Sequence, residues 1–172
     1  MSIDRTRFCL NRITYPGLDL EKFFMLTKEL GLNSVELRND LPGEQILDGR
    51  SPEEAKALAD THDIRILTIN AVQHFNLGAV LDTVCANVND MLKTAAAIGC
   101  YGIVLCPHND VNDARTAEQF YQETVAALKK VAPLFQESGI IGLVEPLGFE
   151  ECSLRSKKTA VQAIQECGYD GY

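Results

Sequence analysis

The stretch Ile140-Ile141-Gly142-Leu143-Val144-Glu145-Pro146 is a short, continuous apolar run that stops in a carboxylate and a proline. A run of this length without polar alternation fits a strand buried on both faces, as in a parallel sheet covered by helices. Pro146 cannot continue the ladder, so Glu145 falls at the strand's carboxyl end. In parallel sheets flanked by helices, ligands and catalytic groups collect at those ends, which makes Glu145 the first candidate for chemistry.

Working outward, the same strand-then-helix rhythm repeats. Residues 8–11 read as a strand ending near Asn11, and 19–31 as a helix with an Asp start and a Gly stop. Residues 34–37 and 64–70 are further apolar strands. Between them Ser51-Pro52-Glu53-Glu54 opens a helix that runs to about His62: Ser caps free amides, Pro suits the first turn and the acids complement the dipole. A helix over 80–98 stops at Gly99, a strand over 101–106 stops at Pro107, and a helix is expected over 113–137. Pro133 inside it should kink it or split its last turn. A last helix covers 156–167, and Gly168-Tyr169-Asp170-Gly171-Tyr172 resembles the approach to a sixth strand.

Five strand-helix units at a period of roughly 30 to 40 residues imply parallel strands with right-handed crossovers. Two architectures use this rhythm, an open doubly wound sheet and a closed eightfold (β/α)8 barrel. The turn after the first strand, Asn11-Arg12-Ile13-Thr14-Tyr15-Pro16-Gly17, has no G-x-G-x-x-G, and no phosphate-cradling P-loop occurs, so the TIM barrel type is favoured. A complete barrel needs about 250 residues. With 172 residues the expectation is one α/β domain over 1–172 holding about five units and the start of a sixth, a C-terminally incomplete barrel. Assembly from two copies and an open sheet are the alternatives, because unpaired strand edges are normally closed or covered.

Composition narrows the partners. A formal charge of -8 repels phosphate backbones and anionic lipid, so no nucleic acid partner and no membrane partner is expected. No apolar run approaches the ~20 residues that span a bilayer, and Met1-Ser2-Ile3-Asp4-Arg5 lacks the pattern of a signal peptide, so a soluble, cytoplasmic protein is expected. The six cysteines are scattered, make no C-x-x-C pair and sit mostly among apolar neighbours, as buried reduced thiols do. Cys106 with His108 is the one Cys/His proximity, a weak zinc signal.

Parallel strands put their carboxyl ends on one rim. The residues expected there are Asn11, Glu36 with Arg38, Asn70 with Gln73 and His74, Cys106 with His108, and Glu145 followed by Glu150, Glu151 and Arg155. Such a mixture of carboxylate, imidazole and amide suits a divalent metal and a polyol, whose hydroxyls need many hydrogen-bond partners. The charge on Glu145 needs a partner, either a metal ion or a salt bridge to Arg155 or Arg38; Glu36 has the same choice with Arg38 two residues on. His62 near a helix C-terminus is structural, and Lys129-Lys130 and Lys157-Lys158 are solvated faces.

Leu10-Asn11-Arg12-Ile13-Thr14, the unit Leu30 to Leu37, and above all Leu143-Val144-Glu145-Pro146-Leu147-Gly148-Phe149 followed by Ser153-Leu154-Arg155 resemble the xylose-isomerase-like TIM-barrel superfamily. Within it the chain looks most like sugar isomerase/epimerase proteins of the inosose isomerase, inositol-catabolism type. The resemblance implies a divalent metal (Mn, Mg, Co or Zn) held by a Glu on strand five, an Asp on strand six, a His on strand seven and a Glu on strand eight. Glu145 matches the first, and the other three would lie beyond Tyr172. It also implies a catalytic role for Glu145, a second glutamate against the substrate hydroxyls at Glu151 or Glu150, and a rim histidine at His108; with Glu151 taken as the second catalytic acid, the rim position makes Asn11, Glu36, Asn70, His74, His108, Glu150 and Arg155 the expected substrate contacts. The implied reaction makes a C–H beside a carbonyl acidic and moves its proton through an enediolate with paired carboxylates. With one of the pair, the 172-residue chain is expected to bind metal weakly and to turn over little small polyol or keto-sugar.

Three rivals remain at this stage. An apurinic-site endonuclease of the same superfamily would need a basic rim, against the charge of -8. An inosose dehydratase shares the proton abstraction and differs in losing water afterwards. A non-catalytic half-barrel would recruit a second copy, as a homo-oligomer, or another chain at its open edge.

Overall fold

In the computed structural model, which describes residues 4–41 and 46–172, strands and helices alternate. The order is β1 (Leu10–Asn11), α1 (Leu20–Glu29), β2 (Ser34–Arg38), α2 (Pro52–Thr61), β3 (Arg65–Val72), α3 (Leu81–Ala97), β4 (Gly102–Leu105), α4 (Ala117–Ser138), β5 (Ile141–Val144) and α5 (Lys157–Cys167). The strands make one five-stranded sheet in chain order, β1-β2-β3-β4-β5, with β1–β2 and β2–β3 parallel. A doubly wound sheet reverses its order at a switch point, whereas an order that only increases is that of a barrel wall. The sheet is therefore part of a barrel.

Local chemistry explains the boundaries. Ser51 and Glu54 form a reciprocal capping box at the start of α2, and Thr116 and Gln119 form another at α4. The second box moves the start of α4 from the expected 113 to Ala117, because Asp113 turns its side chain to Arg115 instead of capping a helix. Pro133 does not split α4, which continues to Ser138. Pro133 is exposed, and so is Lys129, the residue whose carbonyl loses its donor. β3 runs to Val72, two residues beyond the expected end, which puts Asn70 inside the strand.

The chain forms two compact units, Met1–Asn70 with Thr94–Gly102, and Ala71–Lys93 with Ile103–Tyr172. In the first unit, Leu20, Phe23 and Phe24 of α1 recur at helical spacing and are buried together with Val35 and Leu37 of β2, Ala55 and Ala59 of α2, and Ile66 and Ile69 of β3. Arg12, in the turn after β1, is also fully buried; it pairs with Asp48 at 2.5 Å and donates to the carbonyls of Leu18 and Ile46.

In the second unit, Val125, Leu128, Val131 and Phe135 line the buried face of α4, and the small Ala160 and Ala163 let α5 pack closely on it. The residues after α5 are not assigned as a strand, yet Gly142 N–H of β5 donates to the Gly171 carbonyl at 2.9 Å. Tyr172 lies edge-on to Phe135 and donates its hydroxyl to the Leu128 carbonyl. Gly142 is what allows this, since a Cβ there would come within 2.6 Å of the Tyr172 ring.

Among the described residues no helix is long and apolar enough to cross a membrane. All six cysteines are free; Cys100 and Cys152 are buried, and the other four are half-buried rather than sealed in the core.

Candidate functional site

Glu36 is the hub of a polar cluster in the first unit. Its carboxylate accepts from Asn11 Nδ2 at 2.5 Å, Thr68 Oγ1 at 2.6 Å and Asn70 Nδ2 at 3.4 Å. The register makes this set. Val35 pairs with Ile66 but Glu36 pairs with Thr68, so β3 skips a residue and turns Thr68 and Asn70 toward Glu36. Arg38 does not pair with Glu36, contrary to one of the two expectations. It forks onto Asp40, with Nε at 2.8 Å and Nη2 at 2.5 Å, while the oxygens of Glu36 are already taken by donors from β1 and β3. Thr68 escapes a reading of the sequence because it sits in an apolar run, although its two-residue spacing from Asn70 signals a shared strand face. Burial, with the charge of Glu36 adding to it, pushes the nearby Cys9 thiol up to about 12, so this cysteine stays protonated.

In the second unit Glu145 follows β5 directly. Its backbone N–H donates to the Leu105 carbonyl of β4 at 3.1 Å, which fixes where its side chain starts. The residue is half-buried, and its carboxylate has no hydrogen-bond or ion-pair partner among the described residues. The expected salt bridge to Arg155 is not formed, Arg155 being exposed just before the cap of α5, and the other expected partner, Arg38, forks onto Asp40. Glu150 and Glu151 are exposed on the loop between β5 and α5. No three His, Cys, Asp or Glu side chains among the described residues come together to hold a metal. A stable divalent site takes about four or more donors, so Glu145 and its described neighbours do not make a cation cage by themselves. Cys106 and His108 likewise belong to no such group.

The loops of the second unit are tied by a knot that sequence reasoning missed. Buried Asn76 donates to Thr124 Oγ1 at 2.8 Å and to Ser153 Oγ at 2.9 Å, and accepts from the His108 N–H at 2.8 Å. Ser153 returns two hydrogen bonds to the His108 carbonyl. The loops after β3, β4 and β5 are thus fixed to one another and to α4. Nothing local in the sequence marks Asn76, because its partners lie 32 to 77 residues away.

This knot supports an imidazole pair. His74, with a left-handed backbone at φ 54°, meets His108 Nδ1 to Nδ1 at 3.1 Å, and His108 Nε2 lies 3.2 Å from Asp113. Arg115 grips both Asp113 and Glu123, and Glu123 accepts the Gly78 N–H at 2.8 Å. The Arg115 guanidinium holds the Asp113 carboxyl far below the usual range, and burial, followed by the neighbouring His108, lowers His74. His62, at the C-cap of α2, is 3.9 Å from Glu21, as a structural histidine would be.

A parallel sheet in barrel order, with acids, amides and imidazoles along and just past its strands, defines a β/α-barrel protein. The model of the xylose isomerase-like TIM barrel family matches residues 24–171, and the chain belongs to that family. It is similar to a xylose isomerase domain containing protein from Salmonella typhimurium LT2, with 42% identity and a TM-score of 0.88 over 99% of this chain and 60% of that one. It also resembles the IolI protein solved with a bound zinc atom (20% identity, TM-score 0.85, 95% of this chain and 59% of that one). A third similar structure is D-psicose 3-epimerase from Clostridium cellulolyticum H10, solved with D-tagatose (16%, 0.78, 95% and 60%). The last two show the fold alone. The chain spans about 60% of the length of these structures. No curated protein matches the sequence.

Proposed function

We propose that the protein is a divalent-metal-dependent isomerase or epimerase of a keto-sugar or inosose, moving a proton beside the carbonyl through an enediolate. The observation that carries this reading is the half-buried Glu145 carboxylate, unpartnered among the described residues at the end of β5. A half-buried acid without a partner keeps the freedom to accept a proton or a cation. Family membership supports the reaction class, as do the zinc of the IolI structure and the sugars of the epimerase structures.

In this reading Glu145 is a metal ligand and catalytic acid-base group. The cation, when bound, supplies polarisation of the substrate oxygens. Glu151, with Glu150 beside it, is the second acid, and Arg155, His74 and His108 contact hydroxyls. Glu36, with Asn11 and Asn70, is a separate set of acceptors and donors of the kind that polyol hydroxyls require. Because no three His, Cys, Asp or Glu side chains among the described residues come together, the chain binds Mn²⁺ weakly and turns over slowly.

Deuterium exchange into D-fructose, D-tagatose and an inosose in D₂O, read by NMR with and without Mn²⁺, tests this. Slow, Mn²⁺-dependent exchange that disappears in Glu145→Gln is expected. Exchange that persists without metal or in Glu145→Gln would overturn it, and so would cleavage of abasic DNA in Zn²⁺. Exchange as fast as in a full-length barrel of the family would refute the weak-binding part, and a dehydrated product would identify the dehydratase branch.

A further inference from the structure

His74, His108, Asp113, Arg115 and Glu123 form one unbroken chain of polar contacts in the second unit. An Asp113–Arg115–Glu123 ion pair network needs no imidazole to be complete, yet Asp113 Oδ2 also sits 3.2 Å from His108 Nε2. The side chains of His108 and Asp113 are only 14% and 10% exposed, so water does not easily replace this contact.

Proton placement follows from the connectivity. The acceptor-only Asp113 carboxylate, 3.2 Å away, would repel a bare lone pair on His108 Nε2, so Nε2 carries a hydrogen through charge attraction rather than through an aligned hydrogen bond. In the neutral ring His108 Nδ1 is then a bare lone pair. It faces His74 Nδ1 at 3.1 Å, and two lone pairs at that distance would repel, so His74 Nδ1 carries a hydrogen and donates it. His74 Nε2 is left bare. His74 stays neutral near pH 7, since burial and its imidazole neighbour both disfavour the cation.

We propose that Asp113 is a positioning residue: its negative charge, 3.2 Å from His108 Nε2, keeps the proton on that nitrogen and so sets the imidazole pair such that the one open lone pair is His74 Nε2, an acceptor for a ligand hydroxyl. Arg115 and Glu123 hold Asp113 in place, and the Asn76 knot holds the backbone of His108. The ligand part rests on the sugar-isomerase reading; the proton arrangement does not.

With three histidines in the chain, long-range ¹H–¹⁵N correlation of ¹⁵N-histidine protein near neutral pH resolves each ring, and His62 is the reference. The expected spectrum has a pyrrole-type Nε2 and pyridine-type Nδ1 on His108, and the reverse on His74. In Asp113→Asn, whose side-chain amide can donate, both rings should switch tautomer together while His62 stays unchanged. Arg115→Lys, which keeps a cation beside the Asp113 carboxylate, should retain the wild-type pattern. A pyridine-type Nδ1 on His74 in the wild type, or a folded Asp113→Asn with the wild-type pattern, would overturn the proposal. If Asp113→Asn fails to fold, the wild-type and Arg115→Lys spectra still decide. The measurement needs neither metal nor sugar, so its outcome is independent of whether the isomerase reading holds.

Discussion

Replacing Arg12 by Met should destabilise the protein by about 3 kcal/mol, the low end of the range for breaking a buried ion pair. Arg12 is fully buried, and its guanidinium serves Asp48 at 2.5 Å, the Leu18 carbonyl at 3.1 Å and the Ile46 carbonyl at 3.3 Å. Met fills a similar volume, so packing is largely kept and the loss is electrostatic. Asp48 would retain only the Leu20 N–H, at 2.5 Å, and its side chain is 12% exposed, too little for water to restore the full solvation of the charge. With a urea dependence of about 2 kcal/mol per molar, the unfolding midpoint followed by circular dichroism should fall by about 1.5 M. Asp48→Ala added to Arg12→Met removes the stranded charge, so the double variant should be more stable than the sum of the two single losses predicts. The effect bears on Asn11, the neighbour of Arg12 and a donor to Glu36. A loss below about 1 kcal/mol in Arg12→Met, or strict additivity in the double variant, would refute the reasoning.

Two further outcomes follow from the second unit. His74 is held below its ordinary value of about 6.5, so the unfolded chain binds its proton more readily; stability from this group is present above that value and is lost as pH falls through the lower folded value. His74→Asn, which tolerates the left-handed backbone, should lose less stability between about pH 7 and pH 5 than the wild type in parallel urea titrations, and identical slopes would contradict the assignment. Gly142→Ala should cost about 1–3 kcal/mol, because the new methyl meets the Tyr172 ring at 2.6 Å and displaces its hydroxyl from the Leu128 carbonyl. Tyr172→Ala in the same background should remove the clash, which thermal unfolding of Gly142→Ala, Tyr172→Ala and the double variant will check.

The barrel class was legible because it depends on patterns that are local. Ser51-Pro52-Glu53-Glu54 starts a helix through contacts within four residues, and the apolar run before Glu145 is a strand wherever it is buried. The order of short apolar strands and amphipathic helices therefore gave parallel topology without coordinates. Individual boundaries were less secure where a side chain had a more distant choice: Asp113 turned to Arg115 and His108, and α4 began at Thr116 as its cap instead.

The site divides along the same line. That Glu36, His74, His108 and Glu145 stand at or beyond strand ends, or on a strand within reach of its neighbours, could be read from position in the chain. Which of them is satisfied could not. Glu36 gains three donors because one skipped residue in β3 turns Thr68 toward it, and His108 gains Asp113 because the Asn76 knot fixes its loop. By itself the sequence determined the repeat of strand and helix and the presence of an acid after β5, since short-range sterics, capping and apolar patterning decide those. Only the tertiary structure decided that Glu36 gathers three donors and Glu145 stays unpartnered among the described residues, because hydrogen-bond partners 25 or more residues apart in the chain meet only after register and packing are set.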